Sequence, residues 1–472
     1  MRTALVPPAL IAATVVCVCL PRGPADLDAA VQVTPADVAS AALVAVAVLA
    51  VVLGRRRLPP RALVAFGPLI AALGVTTVLS TDVEVSLVGA ARFLQVFALV
   101  PLAVMLAVRE RRHLVLVCGA VLAAGLFEAV YGIVQVATGN GASFGGRGVR
   151  AVGTFGAMDI MALATIVGYG LVIALAFLLT SPSARRSDAS SRRRAGALTA
   201  FLWCAFGVLA VAQALALSRG HWIAVGAALT VMVLLYSRML ALRVAVCAGA
   251  VAVVMVGGLG IASGTLVERA RSITETTSTP DQSVIDRYSL WSTAAGIWQD
   301  HPASGVGVKN FAAYRDTYAP LQLSAASDTA DSVNGFVRQP LLSPHNEYLL
   351  ILSEQGLLGF AGFAVLVATL LWGLLRPPGG SLKRARRDPL WLVAAGFMTA
   401  LLVDFLYGDL GGPTSVLTSV MIGLTAVIAL GPPWADGAAG PGGAGAARPG
   451  GPTAGAAPRD GRRASGGADD GR

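Results

Sequence analysis

Charge is what this sequence lacks most. Charged residues make up 13% of its 472 positions and hydrophobic ones 55%, whereas a globular domain carries about a quarter charged. A soluble globular protein is therefore excluded. Cysteine is equally uninformative: Cys17, Cys19, Cys118, Cys204 and Cys247 all fall inside apolar runs. None lies in an external loop and no pair has metal-ligand or disulfide spacing, so they read as small buried hydrophobes. A small-residue cleavage site is missing after the first apolar run, 5–20, whose flank is Pro21-Arg22. That run reads as a first span and not as a signal peptide. Internal repeats are absent as well.

What is present is a succession of apolar runs, each long enough to cross a bilayer at roughly 20 residues. Spans are predicted near 4–20, 36–53, 62–79, 86–108, 114–136, 153–180, 197–217, 221–237, 244–262, 346–375, 390–407 and 413–431. The net charge of +10 sits in short loops between these runs, which argues against nucleic-acid binding and for membrane orientation. Arg55, Arg56, Arg57 and Arg61 fill the second loop, Arg109, Arg111 and Arg112 the fourth, and Arg185, Arg186, Arg192, Arg193 and Arg194 the sixth. Arg238 and Arg243 flank the eighth, and Arg376, Lys383, Arg384, Arg386 and Arg387 occupy the tenth. The odd loops carry chiefly Arg22, Arg147, Arg150 and Arg219. Positive-inside logic puts both termini in the cytoplasm and the odd loops outside. The expected fold is an all-α polytopic protein of the cytoplasmic (inner) membrane, with about twelve transmembrane helices and one large external loop. Its expected divisions are helices 1–9 over 1–262, the external loop over 263–343, helices 10–12 over 344–431, and a tail over 432–472. The tail is Gly/Ala/Pro-rich, cannot bury a core and is expected to be disordered in the cytoplasm.

Arg92, Glu128, Asp159 and Asp404 fall in the outer parts of their predicted spans. Charges in lipid face a cavity or a partner, so two readings stand together: a polar cavity open to the outside, and structural ion pairs such as Arg92 with Glu128.

Four external stretches carry groups with chemistry. In Ser343-Pro344-His345-Asn346-Glu347-Tyr348, Ser343 reads as an N-cap and Pro344 as the first helical residue. His345 would then sit in the first turn, where the helix dipole disfavours imidazolium and leaves the ring able to accept a proton. Leu349, Leu352 and Gly356 would continue its face, with Gly356 and Gly359 admitting a neighbouring helix. In Leu217-Ser218-Arg219-Gly220-His221-Trp222, Arg219 breaks the positive-inside pattern and suits lipid headgroups or a phosphate held bidentately; Trp222 suits the interfacial belt. After an Asp286 cap, Leu290, Trp291, Ala294, Ala295 and Trp298 recur at helical spacing, which predicts an amphipathic helix on the outer membrane face. The stretch 147–162 combines Arg147 and Arg150 with a Gly153-Thr154-Phe155-Gly156 turn at the entry to span six.

In these stretches the sequence resembles the O-antigen ligases and O-antigen polymerases. Gly153-Thr154-Phe155 is similar to that family's Gly-Thr-Phe element, although Ala157-Met158-Asp159 replaces the usual Asn-rich sequel. Ser218-Arg219-Gly220 resembles its Ser-Arg-Gly turn, although Ile223 stands where the ligases' Arg-x-x-x-Leu pattern has leucine. Arg287-Tyr288-Ser289-Leu290-Trp291 with His301-Pro302-Ala303-Ser304-Gly305-Val306-Gly307 resembles its Arg…Trp…His-Pro…Gly-x-Gly stretch. His345-Asn346-Glu347-Tyr348, followed after ten residues by Gly356, resembles its most characteristic motif.

The resemblance implies a GT-C-like membrane glycosyltransferase. Its donor would be a polyprenyl-diphosphate-linked glycan, and its acceptor a hydroxyl of a glycan, lipid or protein at the outer face of the membrane. It also implies His345 as the base, Arg219 and Arg287 as diphosphate ligands, and support from Arg147, Arg150, Asn346 and Glu347. Neither metal nor other cofactor is expected, since two arginines can balance a diphosphate. Asp26-Leu27-Asp28 fits the Asp-x-Asp element of metal-dependent GT-C enzymes, and equally the acidic composition of an external loop. The rival classes are a twelve-helix transporter of a polar or anionic substrate, which would usually show two related halves, and a non-catalytic subunit scaffolding glycan-assembly membrane proteins. Ligase, polymerase and protein-glycosylating activities stay open; the Ala/Arg/Gly/Pro-rich composition leans toward a polymerase.

Overall fold

The computed structural model describes residues 6–21, 33–144, 147–159, 161–181, 189–257, 282–331, 335–377 and 380–431. The tail after Gly431, the pair Asp26 and Asp28 and the first part of the 263–343 loop lie outside them. Helices fall on every predicted span. They are α1 Val6–Cys17, α2 Pro35–Val52, α3 Pro60–Val78, α4 Val83–Ala107, α5 Arg111–Ala137, α6 Ala162–Thr180, α7 Ala189–Leu215, α8 Arg219–Tyr236 and α9 Arg238–Gly257. The long loop after α9 adds α10 Gln282–Asp300 and the short α11 Phe311–Tyr318. Then come α12 Glu347–Leu375, the one-turn α13 Leu382–Ala385, α14 Pro389–Asp404 and α15 Thr414–Leu430. Eight of these helices are long and apolar enough to cross a membrane, and three shorter apolar ones accompany them. The chain is a multi-pass, all-α membrane protein.

α14 and α15 have 16 and 17 residues, roughly 24–26 Å at 1.5 Å per residue, short of a hydrocarbon core of about 30 Å. The loop 405–413 between them therefore begins below the end of the bundle. Non-helical backbone at such depth must be covered by protein. The start of α12 covers it: Glu347 N–H donates to the carbonyls of Phe405 and Gly408, and Glu347 Oε2 accepts from Leu410 N–H at 2.9 Å.

The intramembrane charges brace loops and helices. Arg92 pairs with Asp37 of α2, not with Glu128, and donates to Gly412 O at 3.0 Å and Ser415 Oγ at 2.7 Å. α2, α4 and α15 are thereby tied together beside a π-helical turn at Gln95–Leu99. Glu128 instead accepts Thr154 N–H at 2.9 Å and Thr154 Oγ1–H at 2.7 Å, and Gln135, two turns along α5, holds both Gly153 N–H and Gly153 O. These bonds stop the sixth span from starting at 153: Gly153 and Gly156 have φ of 63° and 73°, and the helix begins only at Ala162.

Two loop segments far apart in sequence form one antiparallel sheet, β2-β1-β3-β4. Its strands are β1 Ala142–Phe144, β2 Arg147–Arg150, β3 Ala326–Asp331 and β4 Gly335–Pro340. Ser143 pairs with Ala330, and Asp331 Oδ2 accepts Ala157 N–H at 2.7 Å. The fifth and ninth loops thus occupy the same end of the bundle. α10 does not begin at Asp286, which lies one turn in and accepts Gln282 Nε2–H and Ser324 N–H. Its apolar face is covered by protein: Leu290, Ala294 and Ile297 form a small core with Val306, Phe311 and Leu341.

Candidate functional site

The 301–307 turn and α12 interlock through backbone. α12 breaks at Gly356, where φ is 61° and ψ is −163°, a conformation essentially confined to glycine. The break frees backbone groups, and the turn takes them up. Val306 N–H donates to Ser353 O at 3.1 Å and Gly307 N–H to Glu354 O at 2.7 Å, while Leu357 and Leu358 N–H donate to Pro302 O and Ala303 O at 2.9 and 3.1 Å. A Cβ on Gly356 would lie 2.4 Å from Ala303 O, and one on Gly305 would lie 2.3 Å from Glu354 C. Gly356 therefore does not continue a helical face toward a neighbouring helix. That close approach occurs at Gly362, against Leu69 of α3.

The start of α12 is fixed by its own cap and by the 405–413 loop. Asn346, not Ser343, is its N-cap, with Oδ1 accepting Leu349 N–H at 3.1 Å. His345 precedes the cap in the left-handed region, φ 48°, which costs a non-glycine residue about 1–2 kcal/mol. Its environment is set by the 405–413 loop and not by a helical first turn. His345 Nδ1 lies 3.4 Å from Asp409 Oδ1. With Nδ1 facing a carboxylate and the side chain 42% exposed, Nε2 is the nitrogen available to a substrate. Burial alone would raise Asp409, but the hydrogen bond and charge of His345, aided by Ser343 and its own backbone, hold it below the usual aspartate range.

Arg287 comes to this place from α10. One turn on, Trp291 Nε1–H donates to Pro344 O at 3.0 Å, anchoring α10 beside His345. Burial lowers Arg287 from the ordinary arginine value, and so does the charge of Arg219; Asp409, Asp404 and Tyr407 oppose the shift. Arg219 and Arg287 are thus within electrostatic reach of each other. Two like charges so placed suit an anion bound to both.

Arg219 opens α8, whose N-cap is Ser218; the positive end of the helix adds to the guanidinium there. The turn is seated tightly, since a Cβ on Gly220 would lie 2.8 Å from Tyr407 Cβ. Buried His221 fixes it further, with Nδ1 3.1 Å from Ser218 Oγ and Nε2 2.9 Å from Thr165 Oγ1 and 3.4 Å from Asp404 Oδ1. Trp222 donates to Gln213 O at 2.7 Å.

Two expected residues, His345 and Arg287, therefore meet Asp409, while the turn that carries Arg219 packs through Gly220 against Tyr407 of the same loop. Asn346 and Glu347 sit at the same place as buried cap and loop holder. Arg150 and the backbone of Arg147 lie on β2 of the sheet. Asp409 and the His221–Asp404 pair were not anticipated. The signal for Asp409 was an acidic residue in the glycine-rich run Tyr407-Gly408-Asp409-Leu410-Gly411-Gly412 between the last two spans. Among the described residues no group of three or more His, Cys, Asp or Glu side chains could hold a metal ion.

Fold and site together define a multi-pass membrane protein whose polar groups gather at one end of a helical bundle. Residues 204–364, the segment that contains Arg219, Arg287 and His345, match the O-antigen ligase family. Three of the four motifs behind the likeness to O-antigen ligases and polymerases fall in this segment, Gly153-Thr154-Phe155 lying before it, and the match supports a membrane glycan ligase- or polymerase-type function. A comparison with curated proteins finds no match.

Proposed function

We propose that this protein transfers or polymerises glycan from a polyprenyl-diphosphate-linked donor onto an acceptor hydroxyl at the outer face of the cytoplasmic membrane. The observation that carries this reading is that one loop, 405–413, gathers the three segments: Asp409 contacts His345, Trp291 of the Arg287 helix bonds Pro344 beside it, and the Arg219 turn packs on Tyr407. In the proposed reaction the donor diphosphate lies between the two guanidinium groups, and the acceptor hydroxyl approaches His345 Nε2. The hydroxyl proton passes to Nε2 as the acceptor oxygen forms a bond to the anomeric carbon. The bond from that carbon to the diphosphate breaks, its electron pair leaving with polyprenyl diphosphate and the anomeric configuration inverting. Asp409 orients the ring and balances the imidazolium formed in that step. The arginines stabilise charge growing on the leaving diphosphate, the role a divalent metal would otherwise take, so turnover is proposed to be metal-independent. Glycan, lipid and protein hydroxyls all remain possible acceptors, and glycan-assembly membrane proteins possible partners. The proposed orientation has both termini in the cytoplasm.

The test is His345→Ala, assayed for transfer from a lipid-diphosphate donor in reconstituted membranes. Turnover should fall by about 10²–10⁴-fold while donor binding persists. Wild-type turnover at normal membrane levels would remove His345 from the reaction. A deletion strain separates the activities: accumulated single lipid-linked repeats indicate a lost polymerase, accumulated long polymer a lost ligase.

A further inference from the structure

The opposite end of the bundle holds a cavity of about 510 Å³ between the start of α5, the 377–389 connection, the start of α14 and the end of α15. Its floor is apolar, built from Leu114, Trp391, Val427 and Ile428. Its rim is basic, carrying Arg111, Arg384 and Arg387.

One carboxylate, Asp388, also lines the cavity, but it is already engaged. Arg111 holds its two oxygens at 2.5 and 2.7 Å, and Leu390 N–H donates to Oδ1 at 2.9 Å. That pair is neutral as a unit, so the excess charge of the rim belongs to Arg384 and Arg387. Arg387 is held in place by stacking over the Tyr236 ring, 4.2 Å from its centroid, a contact through the guanidinium face that leaves the in-plane N–H groups directed outward.

An apolar floor beneath two guanidinium groups with no carboxylate partner among the described residues asks for an amphiphile with an anionic head. The position selects the same occupant. The cavity lies where α12 and α15 end and α14 begins, the level at which acyl chains give way to headgroups. A small soluble anion would leave the Trp391–Val427–Ile428 surface uncovered, whereas an acyl chain covers it. Basic pockets between transmembrane helices hold lipid head groups by this combination.

We propose that this cavity is a binding site for an anionic glycerophospholipid, with its phosphate against Arg384 and Arg387 and one acyl chain along Val427 and Ile428. The lipid completes the packing between α5, α14 and α15 at the end of the molecule away from the candidate active site. It is separate from the glycan-transfer reading and stands or falls independently of it.

The test is native mass spectrometry of the purified full-length protein, delipidated and then titrated with phosphatidylglycerol or phosphatidylethanolamine. One phosphatidylglycerol should survive activation that strips phosphatidylethanolamine. At roughly fivefold per cation removed, Arg384→Gln with Arg387→Gln should weaken its retention by about 25-fold. Arg55→Gln with Arg57→Gln removes the same charge from another loop of the same end and should change retention by less than about threefold. Equal loss in both double variants overturns the site in favour of diffuse attraction. Preferential retention of undecaprenyl phosphate, or no preference for phosphatidylglycerol, overturns the proposed occupant. If the first double variant does not assemble, Arg384→Gln alone, at an exposed position, carries the test. A loss of about fivefold is then expected, and undiminished retention overturns the proposal.

Discussion

Gly356→Ala tests whether the break in α12 is what joins the 301–307 turn to the helix that follows His345. Ala at φ 61°, ψ −163° occupies a region closed to residues with a Cβ, a strain of about 1–3 kcal/mol. The new methyl would also stand 2.4 Å from Ala303 C and O and 2.6 Å from Ser304 N, all backbone atoms that no rotamer change can move. The 302–307 turn must then withdraw, and with it the four backbone hydrogen bonds to Ser353, Glu354, Leu357 and Leu358, each worth about 1 kcal/mol. Even with half of these regained by relaxation, the expected destabilisation is about 3–5 kcal/mol, at the severe end for one substitution. Gly226→Ala is the control: it lies inside α8 with nothing within 4 Å of an added Cβ and should stabilise the protein by up to about 1 kcal/mol. Thermal unfolding in detergent, with membrane yield measured alongside, separates the two. A Gly356→Ala protein that melts with the wild type and transfers glycan normally would refute the interlock. Loss of transfer without loss of stability would instead give Gly356 a role in the reaction.

The remaining predictions address the site and its orientation. Arg219→Lys and Arg287→Lys should each lower donor affinity, turnover or both, because an ammonium cannot reproduce two parallel contacts to a diphosphate; normal transfer by both would dismiss the anion site. Purified protein should turn over in EDTA, and the Asp26→Ala, Asp28→Ala double variant should stay active, whereas loss in both experiments would indicate a metal-dependent enzyme. On a cysteine-free background in intact cells, an impermeant thiol reagent should label Asp328→Cys and spare Asp188→Cys. The reverse pattern would invert the topology and the proposed mechanism with it.

The transmembrane helices were legible because lipid imposes one rule, a long apolar run, on each of them. The arginine pattern separated the loops into two sets, and pairing of the fifth and ninth loops in one sheet agrees with that division. That sheet was not legible: Ala142–Phe144 and Ala326–Asp331 are short and rich in Ala, Ser and Asp, and the two hairpins they belong to join only through pairing between the loops. Nor was the break at Gly356, since apolar helix-forming residues run on both sides and only contact with 302–307 gives the glycine its purpose. The candidate site residues stood out as polar groups in terse motifs, His345 and Arg219 at a span's end and Arg287 in the long loop's first described helix. Asp409 did not, because its meaning depends on a histidine 64 positions earlier. The four charges within spans were visible as exceptional, yet their partners were not: Arg92 takes Asp37 and Glu128 takes Thr154.

The sheet also constrains how the protein is made. β1 pairs on one side with β2, a few residues away, but on the other with β3, about 190 residues later in the chain. At roughly 5–20 residues per second of synthesis, β1 waits about 10–40 s for that neighbour. During this interval four further helices must enter the bilayer, and the first half of the molecule presents an open strand edge. Such an edge is a template for pairing with other chains. The interval is when a nascent copy is most exposed to mispairing, and when a chaperone on that side of the membrane would have something to hold.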